Sequence, residues 1–246
     1  MRQTSLMTDT IKARLHVTDA LSAGGSVMLA DDQAHYLRHV LRLEAGQAVA
    51  LFNGRDGEWR AVIAEAGKKG VRLNLETQLR PQQPVSDVWL CFAPIKQGRI
   101  EMIVEKATEL GAGRLLPVIT RRTQMQKVNT ERLAAHAREA AEQCERLDVP
   151  EVAPAVTLEK LLQDWPQGRK LFLCAERNDA PSLLAAAKGE GPCALLIGPE
   201  GGFAPEELTQ IMALSQVVTV SLGPRILRAE TAAIAALAIL QSVRQN

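Results

Sequence analysis

Aromatic residues are scarce in this chain: four Phe, three Trp and one Tyr make up 3% of 246 residues. A sheet that reads single-stranded nucleic acid by stacking many bases needs more rings, so any RNA recognition must rest on shape, phosphate contacts and at most one pocket. Cysteine is scarce too. Cys91, Cys144, Cys174 and Cys193 are scattered, with no close pair at metal-ligand spacing. They read as buried thiols of a reducing compartment, and no metal site is expected. An excess of one charge is lacking: 29 Lys and Arg against 28 Asp and Glu leave a net charge of +1. Many nucleic-acid binders are far more basic. No apolar run is long enough to cross a bilayer, so no membrane contact is expected. The opening MRQTSLMTDT lacks the apolar stretch of a secretory signal, which points to the cytoplasm.

Apolar residues are abundant, at 46% of the chain, enough for a sizeable core at a mean hydropathy near zero. Length alone allows one large domain or two ordinary ones, but the texture changes near residue 80. Before it come short apolar or alternating runs at Arg14–Val17, Ser26–Ala30, Gln47–Phe52, Glu58–Ala64 and Val71–Glu76. The turn residues 53–57 (NGRDG) separate two of them. One helix is expected there, with Asp31 or Asp32 as N-cap and Ala34, Leu37, Val40 and Leu41 at helical spacing. Five or six short strands with one helix suggest a small β-barrel over residues 1–80. Leu79–Ser86, with two prolines and no pattern, reads as a linker.

Residues 81–246 alternate strands with helices, the pattern of an α/β fold with a parallel sheet covered on both faces. Apolar strands are expected at Val88–Ile95, Leu115–Ile119, Lys170–Cys174, Cys193–Ile197 and Val217–Leu222, and helices at Ile100–Leu110, Glu131–Arg146 and Ala233–Val243. Gly111 suits the end of the first of these helices.

Two loops carry the chemistry. Strand Cys193–Ile197 runs into GPEGGF (residues 198–203) and then APEEL, at the carboxyl end of a strand, where α/β folds bind ligands. Pro205 suits a first helical position, and Glu206 and Glu207 suit the positive end of a helix. The spacing fits neither the dinucleotide fingerprint nor the P-loop. A phosphate cradle would present helix amides and bases, yet this loop carries Glu200, Glu206 and Glu207 and no base. It suits a neutral or cationic ligand, such as a nucleoside bearing a sulfonium. The second loop, SLGPRILRAETA (residues 221–232), clusters Arg225, Arg228 and Glu230 where a strand meets solvent. Read alone, Arg228 and Glu230 could equally be a surface ion pair of little weight. Residues 96–127 hold seven Lys and Arg against three Glu, a modest basic strip. His35 and His39 lie four apart and read as surface imidazoles.

Together the two loops resemble the signature of the RsmE family, the ribosomal RNA small-subunit (16S) uridine-N3 methyltransferases of the SPOUT superfamily. RIEMIVEKATELG (99–111), LLPVITRRT (115–123) and EAAEQCERLDVP (139–150) continue the likeness, and YLRHVLRLEAGQAVALFNG (36–54) is similar to the family's PUA-like barrel. The resemblance spans Arg14–Arg244. It implies a deep trefoil knot at the carboxyl end, S-adenosyl-L-methionine as methyl donor, a homodimer packed through the apolar last helix, and 16S RNA or the small subunit as partner. Cofactor would be held mainly by backbone of Leu173–Glu176, Ile197–Gly202 and Ser221–Arg228, with Leu173, Ile197, Gly198, Pro199, Glu200, Gly201, Gly202, Leu222, Gly223, Ile226, Leu227 and Arg228 as contacts. Arg228 and Arg122 would stabilise negative charge on the uracil, and Glu230 would accept a proton, fix an arginine or serve the fold alone. RNA would be met by Arg38, Arg42, Arg99, Arg121, Arg122 and Lys127. Family members often carry Glu-Arg where this chain has Arg121-Arg122, so Arg122 is the matching base. Residues 1–12 look like an extension, with Met7 as an alternative start. Two other readings are a SPOUT enzyme acting on ribose or another base, and a ribosome-assembly binder without catalysis.

Overall fold

The computed structural model describes residues 10–67, 70–174, 180–189 and 191–244. The expectations for Met7 and for positions 175 and 176 lie outside them. Two compact units are present, one formed by residues up to Val85 together with Ala141–Val149, the other by Ser86–Ala140 and the chain from Pro150 on.

The first unit is a five-stranded sheet of β1 (Ile11–His16), β2 (Ser26–Leu29), β3 (Ala48–Phe52), β4 (Glu58–Gly67) and β5 (Gly70–Arg80), in the order β1-β3-β4-β5-β2. Alternation along β5 (GVRLNLETQLR) buries Val71, Leu73 and Leu75 and leaves Arg72, Asn74 and Glu76 in solvent, the half-buried pattern of an antiparallel strand. Those side chains join Leu37, Val49, Leu51 and Ile63 in one core. The NGRDG turn is held by Asn53 Oδ1, which accepts from the amides of Arg55 at 3.0 Å and Asp56 at 2.8 Å. Strand β5 takes in Leu79 and Arg80, so the irregular connection starts two residues later than the linker reading placed it.

The expected helix of this unit departs from expectation. Its first half, α1 (Asp31–His35), has Ala30 as N-cap without a side-chain cap, and Tyr36–Val40 is a π-helical turn. The Leu41 amide donates to Tyr36 O at 3.0 Å, a five-residue bond that widens the turn. That widening rotates Val40 out of the core, and it is 59% exposed.

In the second unit, six strands run β12-β10-β11-β6-β7-β8 across one sheet, every recorded pair parallel. They are β6 (Val88–Phe92), β7 (Arg114–Ile119), β8 (Glu151–Val152), β10 (Lys170–Cys174), β11 (Cys193–Ile197) and β12 (Val217–Val220); β9 (Val156–Thr157) pairs with β7. The central β11 is buried at every position, as expected where helices cover both faces. The helices are α2 (Arg99–Glu109), α3 (Thr130–Gln143, whose last three residues belong to the first unit), α4 (Leu158–Gln163), α5 (Leu183–Ala186), α6 (Pro205–Met212) and α7 (Ala229–Arg244). Helix α3 ends three residues before the expected Arg146, and Glu145 takes a positive φ of 61°. Helix α7 begins four residues before the expected Ala233. All four cysteines are free, Cys91 and Cys193 buried but Cys144 and Cys174 only partly so. Among the described residues no helix is long and apolar enough to cross a membrane.

Candidate active site

Strands β10, β11 and β12 are parallel, so Cys174, Ile197 and Val220 end at the same edge of the sheet. The end of β10 and the segments that follow β11 and β12 line a cavity of about 860 Å³. All twelve residues expected to touch a cofactor, from Leu173 to Arg228, line it. The chain brings them together because parallel strands place every strand-to-helix loop at one end.

Local sequence shapes the glycine loop. Gly202 donates its amide to Pro199 O at 2.8 Å, closing a tight turn. A Cβ on Gly198 would stand 2.8 Å from the Phe203 ring, so that ring lies against bare backbone. In the second loop Gly223 adopts a φ of +117°, which side-chain-bearing residues rarely enter. Gly201 has no such φ, and a Cβ there would meet Arg122 at an ordinary 3.6 Å.

The charges are arranged differently from the linear reading. No base lies within the glycine loop, but three arginines reach it from elsewhere. Arg99 Nη1 pairs with Glu200 Oε1 at 2.6 Å, and Arg121 Nη1 with Glu206 Oε2 at 3.0 Å. Arg122 Nη1 donates to Gly201 O at 2.7 Å. Glu207 is buried; its two oxygens accept from the amides of Ala204 and Arg121, both at 2.8 Å. It therefore caps α6 in the way its position suggested. Each of these carboxylates thus has a donor from another part of the chain, which the linear sequence does not show.

Glu230 faces Arg99, whose Nε is 3.7 Å from Glu230 Oε1. The surface pair with Arg228 does not form, and Glu230 is only 8% exposed. Arg228 is exposed at the cavity wall, and among the described residues its guanidinium has no ion-pair or hydrogen-bond partner. Of the residues expected to meet RNA, Arg99 and Arg122 line this cavity. Arg121 and Lys127 are exposed outside it, and Lys127 has no partner among the described residues. In the first unit, Arg38 donates to Gly67 O at 2.9 Å, and Arg42 is exposed with a φ of 54°.

Several lining residues were not among the expected contacts. Phe203, Leu208, Met212, Thr219 and Ala232 complete the apolar part of the wall. Leu208 and Met212 lie one turn apart on α6, a spacing that puts both on one face. Burial pushes the Cys174 thiol up to about 12, so at neutral pH it is a protonated thiol and no nucleophile. No cluster of three or more metal-ligating side chains occurs among the described residues.

Comparison with known proteins places this arrangement. A family model for an RNA methyltransferase domain matches residues 81–241, and one for an RNA methyltransferase PUA domain matches residues 29–76. Ribosomal RNA small subunit methyltransferase E of Rickettsia conorii is 35% identical over 230 residues, covering 92% of this chain and 93% of its own length. The crystal structure of the methyltransferase E of Neisseria gonorrhoeae bound to S-adenosyl methionine is 27% identical, with a TM-score of 0.85, and covers 94% of this chain and 97% of that one. A Legionella pneumophila protein solved with bound SAM is 31% identical, with a TM-score of 0.83, over 95% of this chain and 98% of that one. With its cavity at the strand ends and its two matched domains, the chain belongs to the ribosomal RNA small subunit methyltransferase E family.

Proposed function

We propose that this protein transfers a methyl group from S-adenosyl-L-methionine to N3 of a uridine in 16S ribosomal RNA. The observation that carries the reading is the cavity itself: the twelve residues that the family resemblance implies, from three strand ends, converge on one space of about 860 Å³. That volume suits a small-molecule site, and its residues fit the methyl donor. Leu173, Leu208, Met212, Ile226 and Leu227 supply apolar wall for a nucleoside. Gly202 and Gly223 present backbone with open space beside it, and Glu200 stands at the rim to meet a cation. The donor supplies an activated methyl group on sulfur.

The chain's own work is positioning and charge stabilisation. N3 of uracil is an imide nitrogen; its lone pair forms the new C–N bond while the sulfur keeps the electrons of the broken C–S bond. The N3 proton must leave to a base, and negative charge grows on the two carbonyl oxygens. Arg228, whose guanidinium is unengaged, can donate to them in a planar two-pronged fashion. Arg122, fixed by Gly201 O, keeps further N–H groups for the same purpose. Glu230 stands 3.7 Å from Arg99 and is too enclosed to meet the uracil.

The first unit serves as a PUA-like barrel that meets RNA, and the second as a SPOUT domain knotted at its carboxyl end. Edge strand β12 lies beside β10, after which α7 returns to pack on α2, α5 and β11, an order compatible with such a knot. Helix α7 leaves Ala235, Ile239 and Val243 part-covered along one side, an apolar face suited to a second copy in a cytoplasmic homodimer. Mapping the methyl group on unmodified small-subunit RNA after incubation with S-adenosyl-L-methionine tests the reading. N3-methyluridine is expected. A ribose methyl would favour the other SPOUT chemistry, and no transfer to naked RNA or to assembled subunits would favour a binding protein.

A further inference from the structure

Arg99 is shared unequally between two carboxylates. Its contact with Glu200 is short, at 2.6 Å, and that with Glu230 long, at 3.7 Å. The two partners also differ in setting: the Glu200 side chain is 37% exposed at the rim, and that of Glu230 is 11% exposed behind the wall. The second oxygen of Glu230, Oε2, is buried and has no hydrogen-bond partner. A buried carboxylate oxygen without a donor bears its full desolvation cost. A guanidinium relieves that cost best by meeting both oxygens with two parallel N–H groups. Glu230 is therefore a half-filled second seat for Arg99.

We propose that Arg99 makes the cavity sensitive to the charge of its ligand, moving from Glu200 to Glu230 when a cation arrives and returning when the ligand is neutral. The inference rests on the cavity binding S-adenosyl-L-methionine. Methyl transfer converts that sulfonium into the neutral thioether S-adenosyl-L-homocysteine, and the two ligands differ by one methyl and one charge. With the sulfonium form bound, Glu200 serves the ligand and Arg99 satisfies Glu230 Oε2. With the thioether, Glu200 recaptures Arg99. The cycle favours entry of the methyl donor and exit of its product, and it uses no other group.

Calorimetric affinities for the two ligands, in wild type and single variants, test this without any turnover. The readout is the preference for the sulfonium over the thioether. Glu200→Gln removes the carboxylate that the cation takes over, so the preference should fall by about tenfold, the scale of a partly screened charge contact. Arg99→Met removes the competitor and leaves Glu200 free, so the preference should rise. Arg99→Lys, a point charge without the two-pronged fit, should lie between wild type and Arg99→Met. Glu230→Gln denies Arg99 its second seat, so the preference should fall, chiefly through weaker sulfonium binding. A merely structural role predicts equal losses for both ligands in every variant. An unchanged preference in Glu200→Gln, or shifts of one sign in Glu200→Gln and Arg99→Met, would overturn the proposal. Glu200 is at the surface, so that variant decides the matter even if Arg99→Met does not fold. Wild-type protein that binds neither ligand would overturn the reading of the cavity itself.

Discussion

Arg228 is the last residue before α7, and its carbonyl accepts the Ala232 amide at 2.8 Å. Backbone geometry thus fixes where its side chain leaves the helix start. Exposed and without a partner among the described residues, the guanidinium can turn toward a substrate without breaking an existing bond. If it stabilises the imide anion, Arg228→Ala should lower single-turnover rates by roughly two to three powers of ten. Methyl-donor affinity should change by less than about tenfold if, as proposed, backbone holds that ligand. Arg228→Lys should restore little, since a point charge cannot match a planar fork. Rates measured with saturating RNA and methyl donor check this, and a normal rate for Arg228→Ala would remove the residue from the mechanism.

Among the elements, β1, β4 and β5 meet the chain segment 141–149 through one buried carboxylate. Glu58 on β4 is 6% exposed and accepts from Arg14 on β1 and from Arg80 on β5, the latter through Nε at 2.7 Å. Arg14 also donates to Ala141 O at 3.1 Å and Arg146 O at 2.6 Å, satisfying carbonyls at the end of α3. Burial opposes ionisation of Glu58, but the bonds from Arg80 and Arg14 outweigh it and hold its pKa below the usual carboxylate range. A folded pKa below the unfolded one stabilises the fold at neutral pH, and that stabilisation is lost as pH falls through the folded value. Glu58→Gln should therefore cost about 2 kcal/mol at pH 7, less than a fully buried pair because Arg80 is partly solvated. The gap to wild type should narrow below about pH 4. Urea unfolding of both proteins from pH 7 to pH 3.5 checks this; a gap that does not change with pH would show that the charge is not what stabilises.

For the whole molecule, a net charge of +1 means that RNA must be met by local patches. Arg121 already shares an exposed pair with Glu206, whereas Lys127 and Arg42 have no partner among the described residues. Releasing a counterion requires a free cation, so Lys127→Ala and Arg42→Ala should each flatten the slope of log affinity against log salt by about 0.7 to 1. Arg121→Ala should flatten it less. Filter-binding titrations over a range of salt check this, and unchanged slopes in the first two variants would place the RNA elsewhere. The sequence by itself determined the parallel α/β layout, the strands Lys170–Cys174 and Cys193–Ile197, and the dozen cavity residues. The layout and the strands follow from local polarity and spacing, and the dozen residues from family resemblance, all of which are written along the chain. Tertiary structure alone decided that Arg99 stands between Glu200 and Glu230, that Arg122 grips Gly201, and that 141–149 joins the first unit. It also decided that a π-helical turn expels Val40. Charges pair with whatever the fold brings within reach, here across 101 positions from Arg99 to Glu200, and no local pattern encodes such a meeting.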